Sequence, residues 1–406
     1  MKPESLTNVK RAAGQFRVVV MLTMAAGGGT SGLAAPEPAE PPTSATARVW
    51  EAAGDIGPMG SKAPELGPLI EEDGLKVIEV SKPGTLNESG AKYVVQKDLT
   101  VPGTAFSVGS GVTDVVLDLG GHKVVCNDER ATEVPGEPYG HCVYGVTVGG
   151  RRTANVVIRN GFIVQGKGSN SGCHAINITG GDAIEICNLQ TRVHGPRCSN
   201  VAAVWAGYGG RDHDNFMENS SRSIAPGLHA PTGISVTHSG KDRDIYGNTI
   251  VGAHTAIYIG ANALKDQRID YAIHHNFFRP LRVEGHKTPQ GICCFGAAGN
   301  RISENVISTD EAHRINTQGR GSGWCEVHHN LVACRYSTEA RQGNYVENRC
   351  YGYWERNCER NRVHGNIFVV DKLRLNTMVG RGMNIRLSPV ALLLFNVGYR
   401  VELSAI

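Results

Sequence analysis

Two stretches, "HRINTQG" (313–319) and "STEARQG" (337–343), carry the side chains best suited to chemistry. Successive side chains on a strand face opposite sides. Ile315 and Thr317 therefore read as inward and Arg314, Asn316 and Gln318 as outward, while Thr338 and Ala340 read as inward and Ser337, Glu339 and Arg341 as outward. Counted from Asn305 and Asn330, Arg314 and Glu339 share an offset of nine, and Asn316 and Arg341 an offset of eleven. On successive layers, Arg314, Asn316, Glu339 and Arg341 would then form one polar patch with His313 at its margin. Asn177, Ser235 and Tyr258 upstream, and Arg386 downstream, fall on the same face.

Such a patch suits the removal of a proton beside a carboxylate. Arg341 with Asn316 would offset the charge built on that group, and His313 or Arg314 would take the proton. Hydrolysis of a glycosidic bond needs instead two carboxyl groups roughly 5 to 9.5 Å apart. Glu339 has Asp310, Glu311 or Glu355 to partner it. The competing reading is a solvated wall, in which Arg314 and Glu339 are a surface ion pair contributing roughly 0 to 1 kcal/mol. His274, His275, His328 and His329 sit just before a bend and read as its decoration. "GRDHDN" (210–215) has oxygen ligands at alternate positions, as a Ca²⁺ loop would, but no complete motif, and an ordinary polar loop is the favoured reading.

The layers are implied by a repeat. "VVIRNGF", "DIYGNTI", "AIHHNFF", "RISENVI", "EVHHNLV", "NYVENRC" and "RVHGNIF" share a hydrophobic residue, two others, Asn, one other and a hydrophobic residue, at Asn160, Asn248, Asn276, Asn305, Asn330, Asn348 and Asn366. From Asn248 onward the gaps are 28, 29, 25, 18 and 18 residues, the length of one supersecondary unit with unequal loops. Alternating apolar residues on both sides of the Asn read as two short strands, and Asn tolerates the left-handed backbone of a sharp corner. A third apolar run follows, as in "AIYIG", "HAINITGG" and "GISVTHSG". Three strands per coil predict an all-β parallel β-helix with the asparagines stacked in a hydrogen-bonded ladder.

Length then measures coil number rather than domain number. Residues 1–35 read as a signal peptide, with Lys2, Lys10, Arg11 and Arg17 before a short apolar run and cleavage near Ala34 or Ala35. Residues 36–75 read as a Pro-rich linker and N-terminal cap, and 76–406 as the β-helix. The expected location is secreted or periplasmic, without a membrane span in the mature chain. The formal net charge of +3 resides in the leader, which holds four basic residues against Glu4, so a general attraction to nucleic acid is not expected. Eleven cysteines suit an oxidising compartment but equally suit small buried wall residues, and their spacing carries no zinc signature.

The segment "YVVQKDLTVPGTAFSVGSGVTDVVLDLGGHKV" (93–124), followed by "VVIRNGFIVQGKG" and the Asn phrases, resembles right-handed parallel β-helix proteins of the pectate-lyase-like superfamily over about 93–370. The resemblance implies an exported, monomeric, carbohydrate-active protein with a polysaccharide partner. The Asn-Thr-Asp, paired Asp, Gly-His-Gly and Arg-Ile-Lys motifs of polygalacturonase-type hydrolases are absent, as is Arg-x-Pro-x-x-Arg of pectate lyases: "RPLR" and "RVHGPR" have other spacings. The leading expectation is a polysaccharide lyase-like enzyme using β-elimination on an acidic polysaccharide. A glycoside hydrolase and a non-catalytic glycan-binding or cell-surface protein remain as alternatives, because fold does not fix function.

Overall fold

The three apolar runs of each repeat are strands in the computed structural model, and each pairs in parallel with its equivalent one repeat earlier and one repeat later. The structure describes residues 67–129, 142–150, 152–168, 172–194, 201–207, 209–221, 231–237, 243–260, 271–281, 290–295, 299–309, 315–318, 324–334, 353–356, 361–364, 367–370 and 401–402. The described residues are all-β, and no helix among them is long and apolar enough to cross a membrane.

The strands fall into three columns. The first runs from Lys76–Val80 to Arg362–His364, and the second from Leu99–Thr100 to Ile367–Val370. Two long strands, Ala154–Gln165 and Asp182–Val193, pass through both and join them into one 20-stranded sheet. The third column, from Gly84–Leu86 to Tyr353–Arg356, is a separate 10-stranded sheet. At the far end Val401–Glu402 pairs antiparallel with Ile367–Phe368.

Alternation places one side of the successive strands from Gly84–Leu86 to Glu326–His328 in a common core. Ile158, Ile186, Ile245, Ile273 and Ile302 line it from the first column, Ile163, Met217, Ile250, Phe278 and Ile307 from the second, and Ile176, Val204, Ile234, Ile257, Ile292 and Ile315 from the third, all in one cluster at 0% exposure. Each such side chain contributes about 1.5 to 3 kcal/mol by leaving water. One core position of the first column breaks the pattern. Asp212 pairs in register with Ile186 and Ile245, and its carboxylate is held at 2.6 Å by both Nε and Nη2 of Arg243, with neither side chain exposed.

The asparagine ladder forms, with two corrections. Asn215, Asn248, Asn276, Asn305 and Asn330 stack, each of the first four donating Nδ2–H to the Oδ1 of the next at 2.9 to 3.0 Å. The same Oδ1 accepts the backbone N–H of the preceding Asn, and Leu189 N–H closes the upstream end on Asn215 at 3.0 Å. The left-handed residue is not the ladder Asn but the one before it: Asp214 (φ 54°), Gly247 (64°), His275 (55°), Glu304 (56°) and His329 (52°). The Asn is freed from the turn and spends its amide along the stack. Asn160 (φ 59°) occupies the turn position itself, one residue ahead of the ladder column. Asn348 lies outside the described residues. Asn366 also lies outside the described residues.

Before the first strand, the N-terminal segment crosses the outer face of the first column. Ile70 packs with outward-facing Val116, Val157 and Cys187, joined by Leu69 and Leu75. Glu72 fastens it by accepting from Lys92 Nζ at 2.8 Å and Arg159 Nη2 at 3.0 Å, and Arg159 Nε also reaches Asp118 at 3.1 Å.

Candidate functional site

The expected patch on the third column is only partly brought together. Asn177, Trp205, Ser235, Tyr258, Cys293 and Asn316 align in register on its outward side, so the common face expected for Asn177, Ser235, Tyr258 and Asn316 is present. Asn316, however, is not open to solvent. It is 0% exposed, donates to Gln290 Oε1 at 3.1 Å, and leaves its own Oδ1 buried without a partner among the described residues. The residue opposite Asn316 on the next rung is Trp354, not Arg341. Equal offsets require equal loops, and 18 residues separate Cys334 from Tyr353 against five between Thr309 and Ile315, which ends the agreement. His313, Arg314, Glu339, Arg341 and Arg386 lie outside the described residues.

A denser group of reactive side chains stands on the outer face of the first column, at the edge of the N-terminal segment. Glu185 and Cys187 are two residues apart on Asp182–Val193, so both point outward. Register sets Arg211 and then Asp244 beside Glu185, and His213, Tyr246 and His274 in line beside Cys187. Gly210 lets the Gly210–His213 strand approach: its φ is +148°, and a Cβ there would lie 2.0 Å from the carbonyl oxygen of Ile184.

The rings stack like the rungs that carry them. His213 and Tyr246 have centroids 4.8 Å apart and planes 2° apart, and Tyr246 and His274 are 5.3 Å and 3° apart. Glu185 holds Arg211 Nη2 through Oε2 at 2.7 Å and contacts His213 Nε2 through Oε1 at 2.9 Å. His213 Nδ1 meets Asp214 Oδ2 at 2.8 Å. One rung on, His274 Nε2 meets Asp244 at 2.8 Å, His274 Nδ1 meets His275 Nδ1 at 2.8 Å, and His275 Nε2 meets Glu304 at 2.5 Å. The Tyr246 hydroxyl has no hydrogen-bond partner among the described residues.

Electrostatics follow from these contacts. Burial opposes ionisation of Glu185, but the hydrogen bonds from His213 and Arg211 outweigh it and hold the carboxyl at about 2. Burial likewise works against the His213 imidazolium, yet bonding to Cys187, Glu185 and Asp214 pushes it up to about 10. Burial raises Tyr246 to about 12. Three donor atoms of different kinds, from Glu185, Cys187 and His213, lie within 4.8 Å of one another.

Across the corner, the second column presents outward aromatics on alternate rungs. Phe162, Gln190, Phe216, Thr249 and Phe277 stand in one register line, with Phe162 36% and Phe216 40% exposed. At about 4.8 Å per rung the phenylalanines recur roughly every 10 Å.

Sequence reasoning missed this wall. "GRDHDN" is not a Ca²⁺-type loop: it is the strand Gly210–His213, a left-handed corner at Asp214 and the ladder residue Asn215, with Asp212 turned into the core. A signal was present, since "EIC" at 185–187 and "RDH" at 211–213 repeat at a spacing of 26 and end one residue before the turn residues Asn188 and Asp214. His275 and His329 do sit at bends, but His274 and His328 are strand residues. No protein-family model, curated protein or solved structure matches this chain.

Proposed function

We propose that the chain is an exported right-handed parallel β-helix with three strands per coil, of the pectate-lyase-like kind, and that it cleaves an acidic polysaccharide by β-elimination on the outer face of its first column. The observation that carries the reading is the stacked wall of Arg211, His213, Tyr246 and His274, in which aromatic and cationic groups are held in register while the hydroxyl of Tyr246 has no hydrogen-bond partner among the described residues.

The chemistry assigns a role to each group. A proton leaves the carbon beside the uronate carboxylate, its electron pair forms the carbon–carbon double bond, and the glycosidic carbon–oxygen bond breaks. Arg211 offsets the charge that builds on the carboxylate. Tyr246, whose hydroxyl has no hydrogen-bond partner among the described residues, takes that proton as tyrosinate and passes it to the departing oxygen, while His274, held at both ring nitrogens by Asp244 and His275, supports its ring face. Hydrolysis fits less well, because it needs a carboxylic acid and a second free carboxylate. Glu185, Asp244 and Glu304 are each committed to Arg or His. Phe162, Phe216 and Phe277 would give successive sugar units apolar faces to lie against.

The test incubates the protein with a panel of acidic and neutral polysaccharides and reads ultraviolet absorbance of unsaturated uronates together with reducing ends. Unsaturated product lost in Tyr246→Phe is the expected result. Reducing ends without unsaturation would establish a hydrolase, and retention of glycan without chain shortening a binding protein.

A further inference from the structure

We propose that Glu185, Cys187 and His213 form a binding site for one divalent transition-metal ion of the zinc class. The inference goes beyond the lyase reading and stands without it.

The three donors suit such an ion by type: a carboxylate oxygen, a thiol sulfur and an imidazole nitrogen, mutually within 4.8 Å. Thiolate and imidazole together select zinc-like ions over Ca²⁺ or Mg²⁺, which prefer all-oxygen shells. They are also carried by rigid structure. Glu185 and Cys187 share one strand face, and His213 lies opposite Cys187 on the adjacent rung, so sheet register rather than a loop sets their spacing.

The surroundings are arranged around the three atoms that would bind. Asp214 Oδ2 engages His213 Nδ1 at 2.8 Å, which turns Nε2 toward Glu185 and Cys187. A carboxylate on the far nitrogen of a ligating histidine is the usual orienting contact at zinc. Tyr246 stacks flat on the same imidazole and limits its rotation. Arg211 occupies Glu185 Oε2, leaving Oε1 as the oxygen that faces His213. Cys187 is a free thiol, 4% exposed, closed over on one side by Ile70, Val116 and Val157. Loading replaces the His213–Glu185 contact with bonds to the ion, and two protons leave to solvent, one from the Cys187 thiol and one from His213 Nε2. Three protein ligands leave a fourth position for water or a ligand oxygen, the pattern of zinc sites that act rather than merely brace.

The test uses the full chain, stripped with a chelator and titrated with Co²⁺ as a spectroscopic stand-in. The expected result is a thiolate-to-cobalt band in the near ultraviolet that saturates at one equivalent and is bleached by Zn²⁺. Cys187→Ser should remove that band while the other cysteines remain, and Glu185→Gln should weaken Co²⁺ binding at least tenfold. Asp214→Asn, which leaves all three donors in place, should weaken it about 10- to 100-fold. A folded wild-type protein that develops no saturable band, or a band unchanged in Cys187→Ser, overturns the proposal. Circular dichroism of the stripped wild type and of Asp214→Asn separates loss of metal from loss of fold.

Discussion

Tyr246 lies flat against His213 with ring centroids 4.8 Å apart, one strand spacing, so the stack is a direct product of sheet register. The ring and the hydroxyl do separable work. Tyr246→Phe keeps both stacking contacts and removes an oxygen that has no partner among the described residues, so melting should hold while turnover of an identified substrate falls about 10²- to 10⁴-fold. Tyr246→Ala should also lose the packing, costing about 3 kcal/mol. Parallel melting curves and rates for the two variants check this.

Asn305→Leu should destabilise the stack more than an ordinary buried substitution. It strands the Asn276 backbone N–H, which now donates to Asn305 Oδ1 at 3.1 Å, and the Ile273 carbonyl, which accepts from Asn305 Nδ2 at 2.8 Å. Each abandoned group costs about 1 to 3 kcal/mol. Urea unfolding measures the loss, and a wild-type midpoint would remove the ladder from the list of stabilising features.

The repeat was legible because a structural Asn leaves the same mark at each corner. Its exact role was not, since the left-handed φ and the ladder amide fall on neighbouring residues, and a phrase centred on Asn cannot tell Asn160, in the turn, from Asn248, in the ladder. The site was harder to read for a related reason. Offsets counted from a corner survive only while loops stay equal, which holds for the step of 26 from Cys187 to His213 and fails between Asn316 and Trp354. Nor does alternation distinguish an outward residue in water from one covered by other chain, which is how Asn316 came to be expected on the surface and lies at 0% exposure.

Arg243→Met should cost about 3 to 5 kcal/mol, because it leaves the Asp212 carboxylate charged and unpaired at 0% exposure. The double variant Asp212→Leu with Arg243→Met restores the apolar pattern of Ile186 and Ile245 in that column and should recover most of the loss. A double-mutant cycle in urea reports the difference. Equal stability of the single and double variants would mean that the ion pair is not isolated from water.

Acid sensitivity should originate at His174. Its ring is stacked between Tyr144, with centroids 5.9 Å apart, and Trp205, at 5.0 Å, and its Nδ1 accepts the Ala202 backbone N–H at 3.0 Å, so it is buried neutral. Burial pushes the imidazole down to about 3, against which the Ala202 hydrogen bond is the smaller influence. The unfolded chain, titrating near 6.5, therefore binds a proton that the folded chain refuses. The sign is set by that difference: stability is fully present above pH 6.5 and falls as the pH drops from there toward 3, at a slope approaching about 1.4 kcal/mol per pH unit. His174→Asn keeps an acceptor for the Ala202 N–H but does not titrate in this range. Its stability should be lower than wild type at pH 7, and the slope between pH 6 and 4 should be shallower by about one proton. An unchanged slope in urea titrations of that variant would assign the acid sensitivity to other groups.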